Sequence, residues 1–264
     1  MRKIIVGTRT SKLAMIQTHW VIDQLKKSGV EHEFEIKEFV TKGDKNLSVS
    51  IQDVGGSGIF TDELEESLLN HDIDFAVHSL KDIPAQLPEK LVISAIPVRE
   101  DARDAYIARN HVKLADLPSG AVIGTSSPRR AAQILLKRPD VKTEWIRGPV
   151  DARLQQLEEG KYDAIILAVA GLKRLGVSED VITEYLDTKD FVPAPGQGAL
   201  AIECRQDDHE LRALLQYIND EESEKCVTAE RAFIDVIQEA EEAPVGLYAW
   251  IEDDKIHLRA QAIS

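Results

Sequence analysis

The 264-residue chain is long enough for two ordinary domains with room for a small third, and its 43% hydrophobic content allows a sizeable buried core. Its 46 acidic residues outnumber 32 basic ones, a formal net charge of −14, which argues against nucleic acid or an anionic membrane as the main partner. Two cysteines form no CxxC, seven scattered histidines form no HxxH or HExxH, no run approaches the ~18 apolar residues of a membrane span, and MRKIIVGTRTSKLAM has no long apolar h-region; no metal is expected, and the expected compartment is the cytoplasm.

Apolar runs alternate with helix-period segments, which predicts parallel βαβ units and an α/β fold. Ile4–Gly7 reads as a strand. Thr8–Ser11 supplies N-cap candidates for a helix to about Lys27, with Leu13, Ile16, Trp20 and Leu25 along its apolar side. Phe34–Val40 reads as a strand, and the polar, Gly-rich Lys42–Gly58 as a loop. Thr61–Asn70 is a predicted helix with Asp62, Glu63 and Glu65 near its positive end. Ile73–Val77 and Val92–Val98 are further strands. The second half repeats the order: strand Ala121–Gly124, a helix opened by Thr125-Ser126-Ser127-Pro128, and the apolar strand Asp163–Ala170. Phe191–Cys204, dense in Pro and Gly, reads as a crossing back to the first lobe. Glu221–Glu239 is a predicted helix with Val227, Phe233, Val236 and Ile237 on its apolar side. Leu247–Ile251 and Ile256–Ala262 form a predicted hairpin around Asp253-Asp254. Cys204, inside an apolar run, reads as a core residue.

Two internal echoes, IIVGTRTSKLAMIQ with AVIGTSSPRRAAQI and IDFAVHSLKDIP with YDAIILAVAGLKRL, predict two lobes of like topology with a ligand cleft between them. The cationic residues gather at strand-to-helix corners: Arg9 in the first, Arg129 and Arg130 in the second, Arg147 and Arg153 around IRGPVDAR. Strand C-terminal ends are the usual ligand edge of open α/β sheets. Helix N-termini there offer free N–H groups, and arginine adds a bidentate fork for carboxylates. N-capping with surface arginines is the bland alternative for any one corner. Asp82 fits either an acid/base or cation-stabilising carboxylate or a turn cap.

At GTRTSKLA, VGGSGIF, AVHSLKDIP, GTSSPRR, WIRGPVDARL, YDAIILAVAGLKRLG, PAPGQGALAIECR and TAERAF, the chain resembles the hydroxymethylbilane synthase (porphobilinogen deaminase) family. The resemblance implies two type II periplasmic-binding-protein-like lobes plus a small α+β third domain carrying a dipyrromethane cofactor on a cysteine. The expected boundaries are 1–98 with 197–218, 99–196, and 219–264. The implied reaction joins four porphobilinogen units head to tail, with release of ammonia, into the tetrapyrrole hydroxymethylbilane for haem. By position, Asp82 matches the catalytic aspartate facing the pyrrole nitrogens. Arg9, Arg129, Arg130, Arg147 and Arg153 match arginines that hold carboxylate arms. Ser11, Lys81, Thr125, Ser126 and Ser127 match cofactor-binding polar residues, Gln197 falls in the hinge near the substrate side, and Lys42–Gly58 matches the active-site loop. Porphobilinogen is the expected small-molecule partner, and a monomer the expected state.

The chain departs from the family at several positions. Glu241 stands where the family has the cofactor cysteine, and a carboxylate could make only an ester-like adduct that water should cleave. Asp53 and Ser57 occupy positions that are usually lysines. Pro149 and Asp151 replace an Asn and a small residue, Pro195 replaces a Val, and the chain stops short of the family's C-terminal helix. The resemblance therefore predicts either an active synthase or a non-catalytic relative that binds pyrrole polycarboxylates or another anion. An effector-binding lobe pair is a third reading, disfavoured by the number of pyrrole-specific motifs.

Overall fold

The computed structural model describes residues 2–45, 58–237 and 244–263. Contacts divide the chain into two compact units, Met1–Glu100 with Ala199–Arg231, and Asp101–Gly198 with Ala232–Ser264.

The first unit is built on a five-stranded sheet of order β2-β1-β3-β10-β4. Its strands are β1 (Ile4–Arg9), β2 (Phe34–Phe39), β3 (Phe75–Ser79), β4 (Leu91–Ala95) and, much later in the chain, β10 (Leu200–Arg205). β1 runs parallel to β2 and β3, whereas β10 is antiparallel to both β3 and β4. Helix α1 (Lys12–Lys27) packs on one face, where Ile4, Val6, Val21, Ile22, Leu25, Phe75, Ile202 and Cys204 form the core. A short helical turn α2 (Lys42–Lys45) begins the segment read as loop. Helix α3 (Asp62–Leu69) covers the other face through Leu64 and Leu68.

The second unit has the same plan, with order β7-β6-β8-β5-β9. Its strands are β5 (Asp104–Ala108), β6 (Val122–Gly124), β7 (Lys142–Glu144), β8 (Ala164–Ala168) and β9 (Glu184–Leu186). β6 is parallel to β7 and β8, and β5 antiparallel to β8 and β9. The helices are α4 (Pro128–Lys137), α5 (Val150–Glu158) and α6 (Val169–Arg174). Both internal echoes fall on equivalent elements, β1–α1 with β6–α4 and β3 with β8. The expected parallel βαβ units are present at β1–α1–β2 and β6–α4–β7, but both sheets are mixed. In each sheet one strand lies antiparallel between two others, β10 after the chain returns from the second unit and β5 as the first strand of its own sheet, so no βαβ crossover forms there.

Helices α7 (His209–Leu215) and α8 (Glu221–Ile237) follow β10. The chain ends in the hairpin β11 (Val245–Glu252) and β12 (Lys255–Ala262). Asp253 and Asp254 both have positive φ, 50° and 57°, as a two-residue type I′ turn demands and as Asp tolerates better than branched residues. The hairpin clusters with the second unit, where Leu247 N–H donates to Pro193 O at 2.8 Å.

Two predicted helix faces are right only in part: Leu25 and Val227 are buried as expected. Trp20 is 40% exposed, and beside Leu25 α1 buries Ala14, Gln17, Thr18, Val21 and Ile22. Phe233 and Val236 are 37% and 77% exposed, while α8 buries Cys226, Val227 and the charged Glu230. Glu230 is sheltered because Arg99 binds it through both guanidinium arms, Nη1 at 2.6 Å and Nη2 at 3.1 Å. No helix among the described residues is long and apolar enough to cross a membrane.

Candidate active site

The first corner follows from β1 ending as α1 begins. Ser11 caps α1, its Oγ accepting from Ala14 N–H at 3.3 Å while its O–H remains able to donate. Arg9 projects from the strand end. Its Nε and Nη2 donate to Asp44 at 3.1 and 2.5 Å, and its plane lies 4.1 Å from the centre of the Phe60 ring. Its remaining arm, Nη1, stands 3.9 Å from Asp82 Oδ2. Burial alone would raise the Asp44 carboxyl, but the Arg9 guanidinium outweighs it and holds the group below the usual carboxylate range. Asp82 closes a 3₁₀ turn, Leu80–Asp82, at the end of β3, and stays partly accessible with a side chain 28% exposed. A pocket beside this corner is lined by Arg9, Ser11, Gln17, Phe60, Lys81 and Asp82. Beneath it, the buried His78 and Glu203 meet at 2.9 Å between His78 Nε2 and a carboxylate oxygen. Thus Arg9, Ser11, Lys81 and Asp82 do come together.

The second corner follows from β6 and α4. Pro128 starts the helix, and Ser127 caps it by accepting from Arg130 N–H at 3.3 Å. Thr125 Oγ1 accepts from Ser127 N–H at 3.2 Å, and Ser126 Oγ donates to Ile146 O at 2.5 Å. Arg129 and Arg130 do not lie open on the surface. Both are buried against Asp104, a residue of β5 that is 1% exposed. Arg129 Nη1 donates to Asp104 Oδ2 at 2.8 Å, and Arg130 Nη2 and Nε donate to Oδ1 at 2.7 and 2.9 Å. Gln197 joins them, its amide donating to Asp104 Oδ1 at 2.9 Å and to Ala102 O at 2.7 Å. Burial works to raise the Asp104 carboxyl, yet Arg130 and then Arg129 drive it far below its ordinary value. Arg147 lies over Trp145, 5.6 Å from the ring centre. Arg153 donates Nε–H to Gly148 O at 2.8 Å. Its pKa is pulled down to about 10, first by burial and then by Arg130 and Arg147, so three guanidinium groups crowd one neighbourhood. Such a concentration favours an anion.

Sequence reasoning missed Asp44, Phe60 and Asp104. Asp44 lies inside the stretch read as loop and Phe60 just after it, with nothing local to tie them to Arg9. The only available signal for Asp104 was an acidic residue opening the apolar run Ala105–Ala108. Glu241, Asp53 and Ser57 lie outside the described residues.

Residues 4–213 match the family model described as porphobilinogen deaminase, dipyromethane cofactor binding domain. A porphobilinogen deaminase of Oceanobacillus iheyensis is 56% identical over 260 residues, 98% of this chain and 84% of the relative. One from a Geobacillus species is 55% identical over 253 residues, 96% of this chain and 81% of the relative. The chain belongs to the porphobilinogen deaminase family. In fold alone, it is similar to the VFT2 domain of Bordetella pertussis BvgS. That likeness has a TM-score of 0.50 at 15% identity and covers 88% of this chain and 92% of the other. For this porphobilinogen deaminase family member, the α/β fold with two mixed five-stranded sheets and a small C-terminal hairpin agrees with the resemblance drawn from the motifs.

Proposed function

We propose that this chain joins four porphobilinogen units head to tail into hydroxymethylbilane, with release of ammonia, in haem biosynthesis. One observation carries the reading: the 56% identity to a porphobilinogen deaminase over 98% of the chain. In the reacting unit, the C–N bond to the aminomethyl carbon breaks, its electron pair leaves with the nitrogen as ammonia, and a cation is left on the pyrrole. Asp82 is the group proposed to face the ring nitrogen and offset that charge. Arg9 is held by Asp44 with its Nη1 on the Asp82 side, so a substrate carboxylate meets an arginine already oriented. Ser11 and Lys81 supply further polar contacts there.

In the second unit, Arg147, Arg153, Thr125, Ser126 and Ser127 are proposed to take acetate and propionate arms, with Arg129, Arg130 and Gln197 behind them. The donor set fits a dipyrromethane. Arg129 Nε is buried without an acceptor among the described residues, and the Arg130–Arg147–Arg153 cluster favours a polycarboxylate. When bound, that group supplies the anchored end from which the chain grows. Residues 219–264 are the proposed cofactor-type part, beside lobes at 1–98 with 197–218 and at 99–196. Because Glu241 stands where the family has its attachment cysteine, we infer that this chain does not keep a lasting thioether there. The same substitution favours a second reading, a catalytically impaired relative that binds pyrrole polycarboxylates.

Intact mass of the purified full chain, with Ehrlich's aldehyde reagent as colour test, examines the attachment. A bare-sequence mass and no colour are expected; a mass higher by two pyrroles would overturn it. Porphobilinogen consumption separates the two readings. Turnover that falls about 100-fold in Asp82→Asn at unchanged unfolding midpoint supports the synthase. Binding without consumption supports the impaired relative.

A further inference from the structure

We infer that Gln133 is a positioning residue that couples Arg129 to the seating of the β11–β12 hairpin. Gln133 lies one helical turn beyond Arg129 on α4 and is 1% exposed. Arg129 Nη1 donates to Gln133 Oε1 at 3.1 Å. An arginine can only donate, so this contact fixes which end of the amide faces it. The Gln133 NH₂ group must then point the other way. It donates to Val192 O at 2.9 Å and to Gln261 Oε1, on β12, at 2.9 Å. Arg129 Nη1 reaches the same Val192 carbonyl at 2.9 Å.

The hairpin closes on this point with no slack. Leu247 N–H donates to Pro193 O, the next carbonyl along. Gly246 sits so close that a Cβ there would lie 2.5 Å from Val192 O and 3.0 Å from Gln133 Nε2. Among the described residues the hydrogen bonds of Arg129 go to Asp104, Gln133 and Val192, and of these partners Gln133 is the one whose side chain hydrogen-bonds onward to the hairpin, at Gln261. A carboxylate that drew Nη1 away would release Gln133 Oε1 and loosen the hairpin, and by reciprocity a loosened hairpin would alter binding at Arg129. This last consequence rests on the proposed carboxylate-binding role of the corner; the relay itself does not.

Amide hydrogen exchange on the full chain, without ligand, tests the relay. Gln133→Glu keeps an acceptor for Arg129 but has no donor for Val192 or Gln261. Exchange at Leu247 and along β12 is expected to rise about tenfold, with β6 and β8 unchanged. Gln261→Lys in the same chain gives the new carboxylate a donor and should return the rate to wild type. Arg129→Met should raise hairpin exchange as Gln133→Glu does. Unchanged exchange at Leu247 in Gln133→Glu, or a rise that Gln261→Lys does not reverse, would overturn the coupling. Porphobilinogen added to the wild type should speed Leu247 exchange, and should not in Gln133→Met. Failure of porphobilinogen to bind by calorimetry would count against the functional reading and leave the ligand-free result standing.

Discussion

Replacing Asp104 by Asn tests how far the second corner depends on one buried carboxylate. The side chain of Asp104 is 1% exposed and receives Arg129, Arg130 and Gln197 at once. Asn keeps the shape and one acceptor but removes the charge, leaving two buried guanidinium groups facing each other. Breaking a buried pair by removing one partner costs about 3–5 kcal/mol, and the retained acceptor puts Asn near the lower end. With a urea slope of roughly 2 kcal/mol per molar, the midpoint should fall by about 1.5 M. The assay is tryptophan fluorescence in a Trp20→Phe background, where the remaining Trp145 and Trp250 both lie in the second unit. The pH dependence carries a definite sign. The folded carboxyl is held below its unfolded value, so its stabilisation is present above an unfolded pKa of about 3.9 and fades as the pH falls further. The gap between wild type and Asp104→Asn should therefore be full at pH 7 and narrow below about pH 4. A loss under about 1 kcal/mol at pH 7, or a gap that does not change in acid, would refute the assignment of Asp104 as the keystone.

Arg153→Met removes a half-buried cation crowded by Arg130 and Arg147, so it should leave the second unit's stability to urea unchanged or raise it by about 1 kcal/mol, while weakening porphobilinogen binding measured by calorimetry. Cys204 is fully buried on β10 with its thiol pushed up to about 11 by burial, so a thiol reagent at pH 8 should label it only after denaturant is added; rapid labelling of the native chain would contradict the packing of that core. Glu241→Cys, alone or with Asp53→Lys, should gain a stable mass of two pyrroles after incubation with porphobilinogen, read by intact mass; no gain would show that the thiol is not the missing element.

Much of the frame was legible because it is local. The alternation of apolar runs and caps located β1, α1, β6 and α4, and the paired echoes anticipated two sheets of one plan. Asp253-Asp254 announced the hairpin through its tolerance of positive φ. The failures share a cause. Trp20, Phe233 and Val236 fit a helical period yet lie outside, since period selects a stripe and only the neighbouring sheet selects which stripe is covered. β5 drew no strand reading and β10 was read only as part of a crossing, because antiparallel insertion depends on partners far away in the chain.

The sequence by itself determined where the arginines, the hydroxyl caps and Asp82 would stand: at the ends of strands, where the backbone turns into a helix. What only the tertiary structure decided is how each arginine is employed. Arg9 is gripped by Asp44, Arg129 and Arg130 by Asp104, and Arg153 is left crowded among cations. An arginine's place follows from its own few neighbours in the chain, but its partner is a carboxylate 25 to 35 residues away that only the folded sheet brings within hydrogen-bond reach.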